Sequence, residues 1–387
     1  MESLFKQKCY LLAEGLQITE SLLEAFQETT FSFSMGRKAG AGPAGGRYFR
    51  KDGSVVNAPL YGMEREARAL KWTKVTPEGE CIFTDEGGRI EFEKFHLIPT
   101  PNYYAQTTEG GVPLKKYGLI HGIDCFATTI YQRCLHWENG NQCQYCGIQD
   151  AITEGATTGE KTPDQLLQAL SAAFELETEP ITHITLTAGT TPSPDKGLLK
   201  YISVVKALKK TYPDVKIHVQ VEPIRDKALL ETAKAAGVDT IGVHLEILDE
   251  EKRKEICPGK AHVSRDEYNS MWSAAVDVFG SNQVSTFVLT GYVLDLDLML
   301  GELEEIIAQG VIPFLVPVRH IGTLPNKPPE TPAPYLYNLS YETARLLERY
   351  NLNPFENQAG CVRCGGCSPI PEAYLFAVKN KQKKELL

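Results

Sequence analysis

The sequence predicts an α/β protein built around a partial (β/α)6 barrel. The first observation is that short apolar segments alternate with amphipathic segments of about 10 to 15 residues from Tyr117 onward, a pattern typical of parallel strands joined by right-handed helical crossovers. The second is the length of 387 residues. A single barrel domain takes roughly 200 to 250 residues, so we expect further segments on both sides of it.

Six segments are predicted to be strands and five to be helices of this barrel. The strands are residues 118–123, 183–187, 216–221, 240–245, 283–289 and 312–318, and the helices are residues 163–176, 198–210, 227–236, 265–279 and 295–309. A parallel barrel builds its active site from the loops at the carboxyl ends of its strands. We therefore expect functional residues in those loops.

The segments outside the barrel have a different character. Residues 1–115 are expected to form an N-terminal α+β head, residues 116–325 the barrel, and residues 326–387 a C-terminal cysteine-rich extension. In the head we expect a helix over 20–28 with Thr19 as its N-cap, then hairpins, the second of which turns at residues 86–88. The Gly-rich stretch 36–47 matches no phosphate-loop or dinucleotide motif, so a loop is favoured over a ligand cradle.

Composition and charge narrow the class of protein. A net charge of −9 gives no broad basic face, which favours small-molecule or protein partners over nucleic acid. The longest apolar run, residues 311–318, is too short to cross a membrane. The N-terminal residues carry charges within their apolar stretch and lack a cleavage site, so we expect no signal peptide and a cytoplasmic location.

The ten cysteines include two clusters. In a reducing compartment, clustered cysteines indicate metal binding or catalysis rather than disulfides. One cluster is Cys134, Cys143 and Cys146, and the other is Cys361, Cys364 and Cys367. Two cysteines separated by two intervening residues can both bind the same zinc or iron ion. The remaining cysteines, at 9, 81, 125 and 257, are expected to be small buried hydrophobic residues.

The first cluster is compatible with two kinds of metal site. A structural zinc site needs four ligands, and His136 and Cys125 are the candidates for the fourth. Three cysteines without an obvious fourth partner, in a loop after the first strand of a parallel barrel, suggest instead a [4Fe–4S] cluster with one open iron. An amino acid's amine and carboxylate can chelate such an iron.

The order of strand, three-cysteine loop and repeated β/α units resembles the radical S-adenosylmethionine (radical SAM) superfamily, whose barrels are partial and TIM-like. Its usual spacing is Cys-x3-Cys-x2-Cys with an aromatic residue before the last cysteine. Here Tyr145 precedes Cys146, but the gap between Cys134 and Cys143 is eight residues. The resemblance implies SAM bound at the open iron, an external electron donor and a 5'-deoxyadenosyl radical that abstracts hydrogen from an unactivated C–H bond.

The resemblance also implies where SAM binds. After the second strand the superfamily often carries a Gly-Gly-Glu-like turn that contacts the SAM amine. The match here is Thr187-Ala188-Gly189-Thr190, which lacks the acidic residue, so backbone carbonyls and threonine hydroxyls would have to serve. Glu222 and Glu246, at the ends of the third and fourth strands, would accept hydrogen bonds from the SAM ribose or amine, or else be solvated loop carboxylates.

Two further positions follow the last two strands. Thr290 and Gly291 lie where related proteins pack the adenine of SAM. Arg319 and His320 are expected to meet the carboxylate of SAM or of the substrate, or else to be surface residues.

The tail cluster has the spacing Cys-x2-Cys-x2-Cys with glycines between, which resembles ferredoxin-type ligation. It predicts an auxiliary iron–sulfur cluster, with zinc and free thiols as alternatives. The candidates for the fourth ligand are Ser368, the substrate and a residue of the head. The tail can fold back over the barrel mouth, and a lid formed by the head or the tail would protect the radical.

Within the superfamily the chain is similar to the biotin synthase-related group, over roughly residues 115–325. This group includes lipoyl synthases, the two-component lipoyl synthases and the radical SAM proteins encoded beside nitrilase genes. The resemblance implies a transferase that inserts sulfur from an auxiliary cluster, into an octanoyl group on a protein lysine or another acyl-carrier-protein-type substrate, with a second subunit. The alternatives are another radical reaction on a small metabolite and, in a different class, a zinc-stabilised binding protein.

Overall fold

The computed structural model describes residues 1–33, 46–63, 68–319 and 329–385. The strands are β1 Leu16–Ile18, β2 Gly46–Lys51, β3 Ser54–Tyr61, β4 Leu70–Val75, β5 Glu80–Asp85, β6 Phe95–Leu97, β7 Leu119–His121, β8 Cys125–Tyr131, β9 His183–Ala188, β10 Lys216–Val221, β11 Thr240–Val243, β12 Val284–Thr290 and β13 Val311–Pro317. The helices are α1 Glu2–Glu14, α2 Glu20–Gln27, α3 Leu135–Glu138, α4 Asp150–Thr153, α5 Pro163–Leu176, α6 Leu198–Thr211, α7 Ala228–Ala236, α8 Glu250–Ile256, α9 Arg265–Phe279, α10 Leu296–Ala308, α11 Ala333–Arg349, α12 Cys361–Cys364 and α13 Ile370–Glu385. Most of the Gly-rich stretch 36–47, and His320, lie outside the described residues.

The N-terminal strands β1 to β6 close into a small barrel of order β1-β3-β2-β6-β5-β4. Its core is aromatic, with Phe49 packed edge-on against Trp72 and Phe83 at centroid distances of 5.0 Å, an arrangement that aromatic pairs favour. The predicted cap of α2 is confirmed, because the Thr19 side chain accepts a hydrogen bond from the Leu22 amide at 3.2 Å. The second hairpin is looser than predicted, since β5 ends at Asp85 and β6 begins only at Phe95.

The larger sheet has the order β13-β12-β11-β10-β9-β8-β7 and curls into a half-barrel. Strands β8 to β13 are parallel, and β7 is antiparallel to β8. The prediction that residues 118–123 form the first parallel strand is therefore wrong. The chain turns back at Gly122, whose φ of 60° is readily adopted by glycine, and the first parallel strand is β8.

The other predicted strands and the crossover helices are confirmed to within two residues. The ends of α5 and α9 agree with the prediction because each helix begins with a capping box, in which the N-cap side chain and the third helical residue bind each other's backbone amides. Thr162 and Gln165 form this box in α5, and Ser264 and Glu267 form it in α9.

The N-terminal barrel and the C-terminal helices are connected through a buried ion pair. The Lys8 ammonium of α1 lies 2.8 Å from the Glu372 carboxylate of α13, and both side chains are buried. Lys8 also donates to the Gly365 carbonyl at 2.9 Å. Removing one partner of such a pair would leave an uncompensated buried charge, so the pair favours one relative position of these segments. Among the helices of the described ranges, none combines the length and the apolar character that a bilayer crossing requires.

Candidate functional site

The three-cysteine loop follows β8 and lies against the loop after β9. Cys134 is the N-cap of the short helix α3, and the Leu135 amide donates to the Thr190 carbonyl at 2.8 Å. A Cβ atom added to Gly189 would lie 1.8 Å from the Arg133 carbonyl oxygen. The two backbones can therefore approach this closely only because residue 189 is glycine.

The eight-residue gap between the first two cysteines folds onto the predicted carboxylate Glu222. His136 Nε2 donates to Glu222 Oε1 at 2.9 Å, and the Thr190 hydroxyl donates to the same oxygen at 2.5 Å. Burial alone would raise the pKa of Glu222, but the hydrogen bond from His136 and the nearby positive charge of Lys260 outweigh it and lower the pKa to about 2. The second oxygen, Oε2, is buried and has no hydrogen-bond partner among the residues that the structure describes.

Glu246, the second predicted carboxylate, is also held against this site. It lies three residues beyond the end of β11 with a φ of 64°, a conformation that non-glycine residues adopt rarely and at some cost. Its Oε1 pairs with the Lys260 ammonium at 2.7 Å, whereas Oε2 is buried and finds no hydrogen-bond partner in the described part of the chain. Burial lowers the pKa of Lys260, but the negative charges of Glu246 and Cys143 dominate and raise it well above its usual value.

The other two loop cysteines flank Tyr145. The Cys146 amide donates to the Cys143 carbonyl at 3.0 Å, which forms a tight turn. Burial, followed by the thiolate charge of Cys143, raises the pKa of Cys146 to about 12. A fourth thiol, Cys257, donates to the Tyr145 hydroxyl at 3.7 Å and hydrogen-bonds the Cys143 thiolate, which lowers the pKa of Cys143. Nothing in the sequence pattern indicated that Cys257 would contact Tyr145 and Cys143.

The donor set of this region fits an iron–sulfur group with SAM. Three thiols lie on one loop, and two carboxylates beside it each present a buried oxygen that no donor of the described residues reaches. Buried polar atoms are nearly always satisfied, so these two oxygens point to a missing partner. In the part of the chain that the structure describes, no three His, Cys, Asp or Glu side chains already form a group that could hold a metal ion, so the thiols would have to reorient on metal binding.

Most of the other predicted SAM contacts lie at the same edge of the half-barrel. The Thr187 hydroxyl bonds the Thr129 hydroxyl at 2.7 Å, and Ala188 pairs with Tyr131 at the end of β8. These residues lead directly into Gly189 and Thr190. The structure therefore brings the predicted Thr187–Thr190 turn, Glu222 and Glu246 together with the cysteine loop.

The remaining residues that were predicted to bind SAM already contact other parts of the chain. The Thr290 hydroxyl lies 3.1 Å from that of Thr331, and a Cβ on Gly291 would come within 2.9 Å of the Pro329 carbonyl. The Arg319 guanidinium donates to the side chain of Asn57 at 2.6 Å and to its carbonyl at 2.5 Å, so it contacts β3 of the small barrel. The structure thus does not bring Arg319 to the cysteine loop.

The tail cysteines lie at the opposite end of the half-barrel from the cysteine loop. The Gly360 amide donates to His183 at the start of β9, and the Ala359 carbonyl accepts from Thr240 at the start of β11. The cysteine part of the tail therefore does not cover the barrel mouth, although residues 329–331 at the start of the tail contact Thr290 and Gly291 there. Hydrogen bonds to side chains at the amino-terminal ends of the strands hold the cysteine part in place, and the sequence pattern does not reveal these partners.

Two buried histidines lie in the half-barrel between these two ends. A Cβ on Gly242 would come within 2.9 Å of His244 Nε2 and 3.1 Å of His218 Nε2, so both nitrogens face the same space. Neither nitrogen has a hydrogen-bond partner within residues 1–33, 46–63, 68–319 and 329–385. Burial keeps both rings neutral, lowering the pKa of His218 to about 3 and that of His244 well below its usual value. Alternation along a strand could have indicated that His218 faces inward, but not that His244 joins it.

Comparison with known proteins finds a match for the central part of the chain. Residues 139–309 match the sequence model of the Radical SAM superfamily. The matched range begins within the cysteine loop and ends at the residue after α10. This part of the chain is therefore similar to the radical SAM domain, and the similarity agrees with a half-barrel whose cysteine loop follows its first parallel strand.

Three of the solved structures similar to the chain are a methylornithine synthase, a hydrogenase maturase and SuiB. Methylornithine synthase (PylB) aligns at 15% identity with a TM-score of 0.43, over 64% of this chain and 72% of that one. HydG, a maturase of the [FeFe]-hydrogenase, aligns at 16% identity with a TM-score of 0.45, over 65% and 59%. SuiB of Streptococcus suis aligns at 12% identity with a TM-score of 0.43, over 62% and 50%. The alignments thus span less than two thirds of HydG and SuiB. No curated protein matches the chain in sequence.

Proposed function

We propose that the protein is a radical SAM enzyme in which Cys134, Cys143 and Cys146 hold a [4Fe–4S] cluster with one open iron. The observation that carries this proposal is the convergence of the cysteine loop, the Gly189 turn and the unsatisfied carboxylate of Glu222 at the carboxyl edge of a parallel half-barrel. When bound and reduced, the cluster and SAM would supply a 5'-deoxyadenosyl radical for hydrogen abstraction.

The residues of the chain would orient SAM rather than take part in the chemistry. The free oxygens of Glu222 and Glu246 can accept hydrogen bonds from the SAM amine or ribose hydroxyls. Thr187, Ala188, Gly189 and Thr190 would contact the amine, Tyr145 would pack beside the cluster, and Thr290 and Gly291 would meet the adenine. Because Thr331 and Pro329 now cover Thr290 and Gly291, adenine binding there would require residues 329–331 to move.

For the reaction itself we propose sulfur insertion, with an auxiliary cluster on the tail cysteines as the sulfur source. The tail group reaches the interior of the half-barrel, since Gln220 Nε2 of β10 lies 3.8 Å from the Cys361 sulfur. A substrate bound in the interior of the half-barrel would therefore have access both to the cysteine loop at one end and to the tail cysteines at the other. The substrate class we favour is an acyl chain, such as an octanoyl group on a carrier protein, and the protein would act as a transferase with an electron donor and a second subunit.

The test is anaerobic reconstitution with iron and sulfide, followed by reduction in the presence of SAM. We expect absorbance near 400 nm and formation of 5'-deoxyadenosine, because a site-differentiated cluster cleaves SAM even without substrate. Cys143→Ala should abolish cleavage, whereas Cys361→Ala should retain cleavage without product. Retained cleavage in Cys143→Ala would refute the cluster assignment. An auxiliary cluster that keeps its sulfide over many turnovers would refute sulfur insertion.

One observation favours a second candidate, a zinc-stabilised binding protein. Cys257 places a fourth thiol beside Cys143, and four thiolates form the usual closed site of structural zinc. Zinc content close to one ion per chain after purification, with no 400 nm absorbance after reconstitution, would favour this candidate.

A further inference from the structure

The turn between β7 and β8 brings Cys125 to the tail cysteines. A Cβ on Gly122 would lie 3.1 Å from the Cys364 sulfur. On the other side of the turn, Asp124 accepts from the Arg363 guanidinium at 3.3 Å. Cys125, the next residue, is thus anchored beside α12 by contacts of its neighbours, and its side chain is only 1% exposed.

The backbone places the other tail cysteines at the same end of β8. Cys125 pairs in the sheet with His183, and His183 Nδ1 accepts a hydrogen bond at 3.2 Å from the amide of Gly360, the residue before Cys361. On the side of Cys367, a Cβ added to Gly366 would lie 2.9 Å from the ring of Tyr48 in β2. The four cysteines therefore lie near one another at this end of the half-barrel. By contrast, Cys81 is equally buried but lies in β5 of the small barrel.

The alternative fourth ligand suggested by the sequence, Ser368, has another role. Its hydroxyl accepts a hydrogen bond from the Ile370 amide at 3.4 Å, at the start of α13. Within the described ranges, the Cys125 thiol makes a polar contact with the Thr185 hydroxyl at 3.3 Å, and this contact leaves the sulfur able to bind a metal. Four thiolates are the ligand set of [4Fe–4S] clusters and of structural zinc, and binding a cation relieves the repulsion among buried thiolates.

We propose that Cys125 is the fourth ligand of the tail site, so that one four-thiolate site joins β8 to the C-terminal extension. The metal group it would hold is the auxiliary iron–sulfur cluster of the proposed function, on which this inference rests for the identity of the metal. The thiols must turn toward one another on binding, as no group of three in the described ranges is already arranged to hold a metal ion.

The experiment isolates the tail site in the full-length chain. In a variant with Cys134, Cys143 and Cys146 replaced by alanine, reconstitution should give about four iron and four sulfide ions per chain, the content of one [4Fe–4S] cluster. Adding Cys125→Ala should reduce that content at least twofold and alter the electron paramagnetic resonance of the reduced protein. Adding Cys81→Ala instead, which also truncates a buried cysteine, should leave both unchanged.

Each outcome is decisive. Full iron and sulfide with an unchanged spectrum in Cys125→Ala would overturn the fourth ligand while leaving the tail cluster intact. If the three-alanine variant binds no metal with Cys125 present, both the tail cluster and its fourth ligand would be overturned. Zinc bound in a Cys125-dependent manner would support the four-thiolate site and overturn sulfur donation. To exclude misfolding, Cys125→Ser should bind a cluster with a shifted spectrum, and Cys125→Ala in the otherwise native chain should still cleave SAM.

Discussion

Glu222→Gln tests whether the site carboxylate is held in its charged form by its neighbours. The pKa of Glu222 is lowered from 4.5 to about 2. One pKa unit corresponds to about 1.4 kcal/mol, so the folded protein gains about 3 kcal/mol from contacts with the carboxylate. Glutamine has a similar size and can still accept from Thr190 and His136, but it lacks the charge. We expect it to lower the free energy of unfolding by about 2 to 3 kcal/mol at pH 7.

The pH dependence gives the sign of this contribution. Because the folded pKa lies below the unfolded value, the stabilisation by Glu222 is fully present above about pH 4.5 and is lost as the pH falls toward 2. The difference between the native chain and Glu222→Gln should therefore shrink on acidification. Both chains would be unfolded in urea under reducing conditions. The tryptophan fluorescence, to which Trp272 of the half-barrel contributes, would follow the unfolding.

The matched control is Glu179→Gln, the same chemical change at an exposed ion pair with Arg50. Exposed pairs contribute little, so we expect a change below about 0.5 kcal/mol. A loss of that small size for Glu222→Gln, or a loss that does not decrease between pH 7 and pH 3, would refute the reasoning.

Three further substitutions test other parts of the site. Gly189→Ala should displace the cysteine loop, because its Cβ would lie 1.8 Å from the Arg133 carbonyl; iron retained at the native level in the reconstituted protein would contradict this. Lys260→Met should lower the free energy of unfolding by about 3 to 5 kcal/mol, since it leaves the Glu246 carboxylate without its partner at 2.7 Å, and urea unfolding measures the loss. Cys257→Ala should retain SAM cleavage if the three loop cysteines alone hold the cluster, and loss of both metal and cleavage would show instead that Cys257 is a ligand.

The sequence predicted the parallel strands and their helices well because local signals mark their ends. The capping boxes at Thr162 and Ser264 are such signals, and they work through hydrogen bonds within four residues. Strand β8 was missed because residues 118–123, an equally apolar segment, compete with it in the pattern. Which of the two joins the parallel sheet depends on the turn at Gly122 and on pairing with β9, and neither has a local signature.

For the candidate site, the sequence predicted the residues that follow strands but not those that long-range contacts bring together. Glu222 and Glu246 were expected at the carboxyl edge because parallel strands all end there. Lys260 and Cys257 reach the same place through a loop after α8, whose path is set by tertiary packing. The same limitation applies to Cys125 and the tail cysteines, which are distant in sequence and meet only because the extension folds beneath the half-barrel.

Strand β8 has one more consequence. It begins with Cys125 and leads into Cys134, so one continuous piece of backbone connects the two cysteine groups. At about 3.3 Å per residue, the seven residues of β8 hold its two ends roughly 20 Å apart. The strand pairs with β7 over its first three residues and with β9 over most of its length, and this pairing maintains the separation. If the proposed sulfur insertion uses both ends, the substrate has to reach across this distance, as an acyl chain on a long flexible arm is able to do.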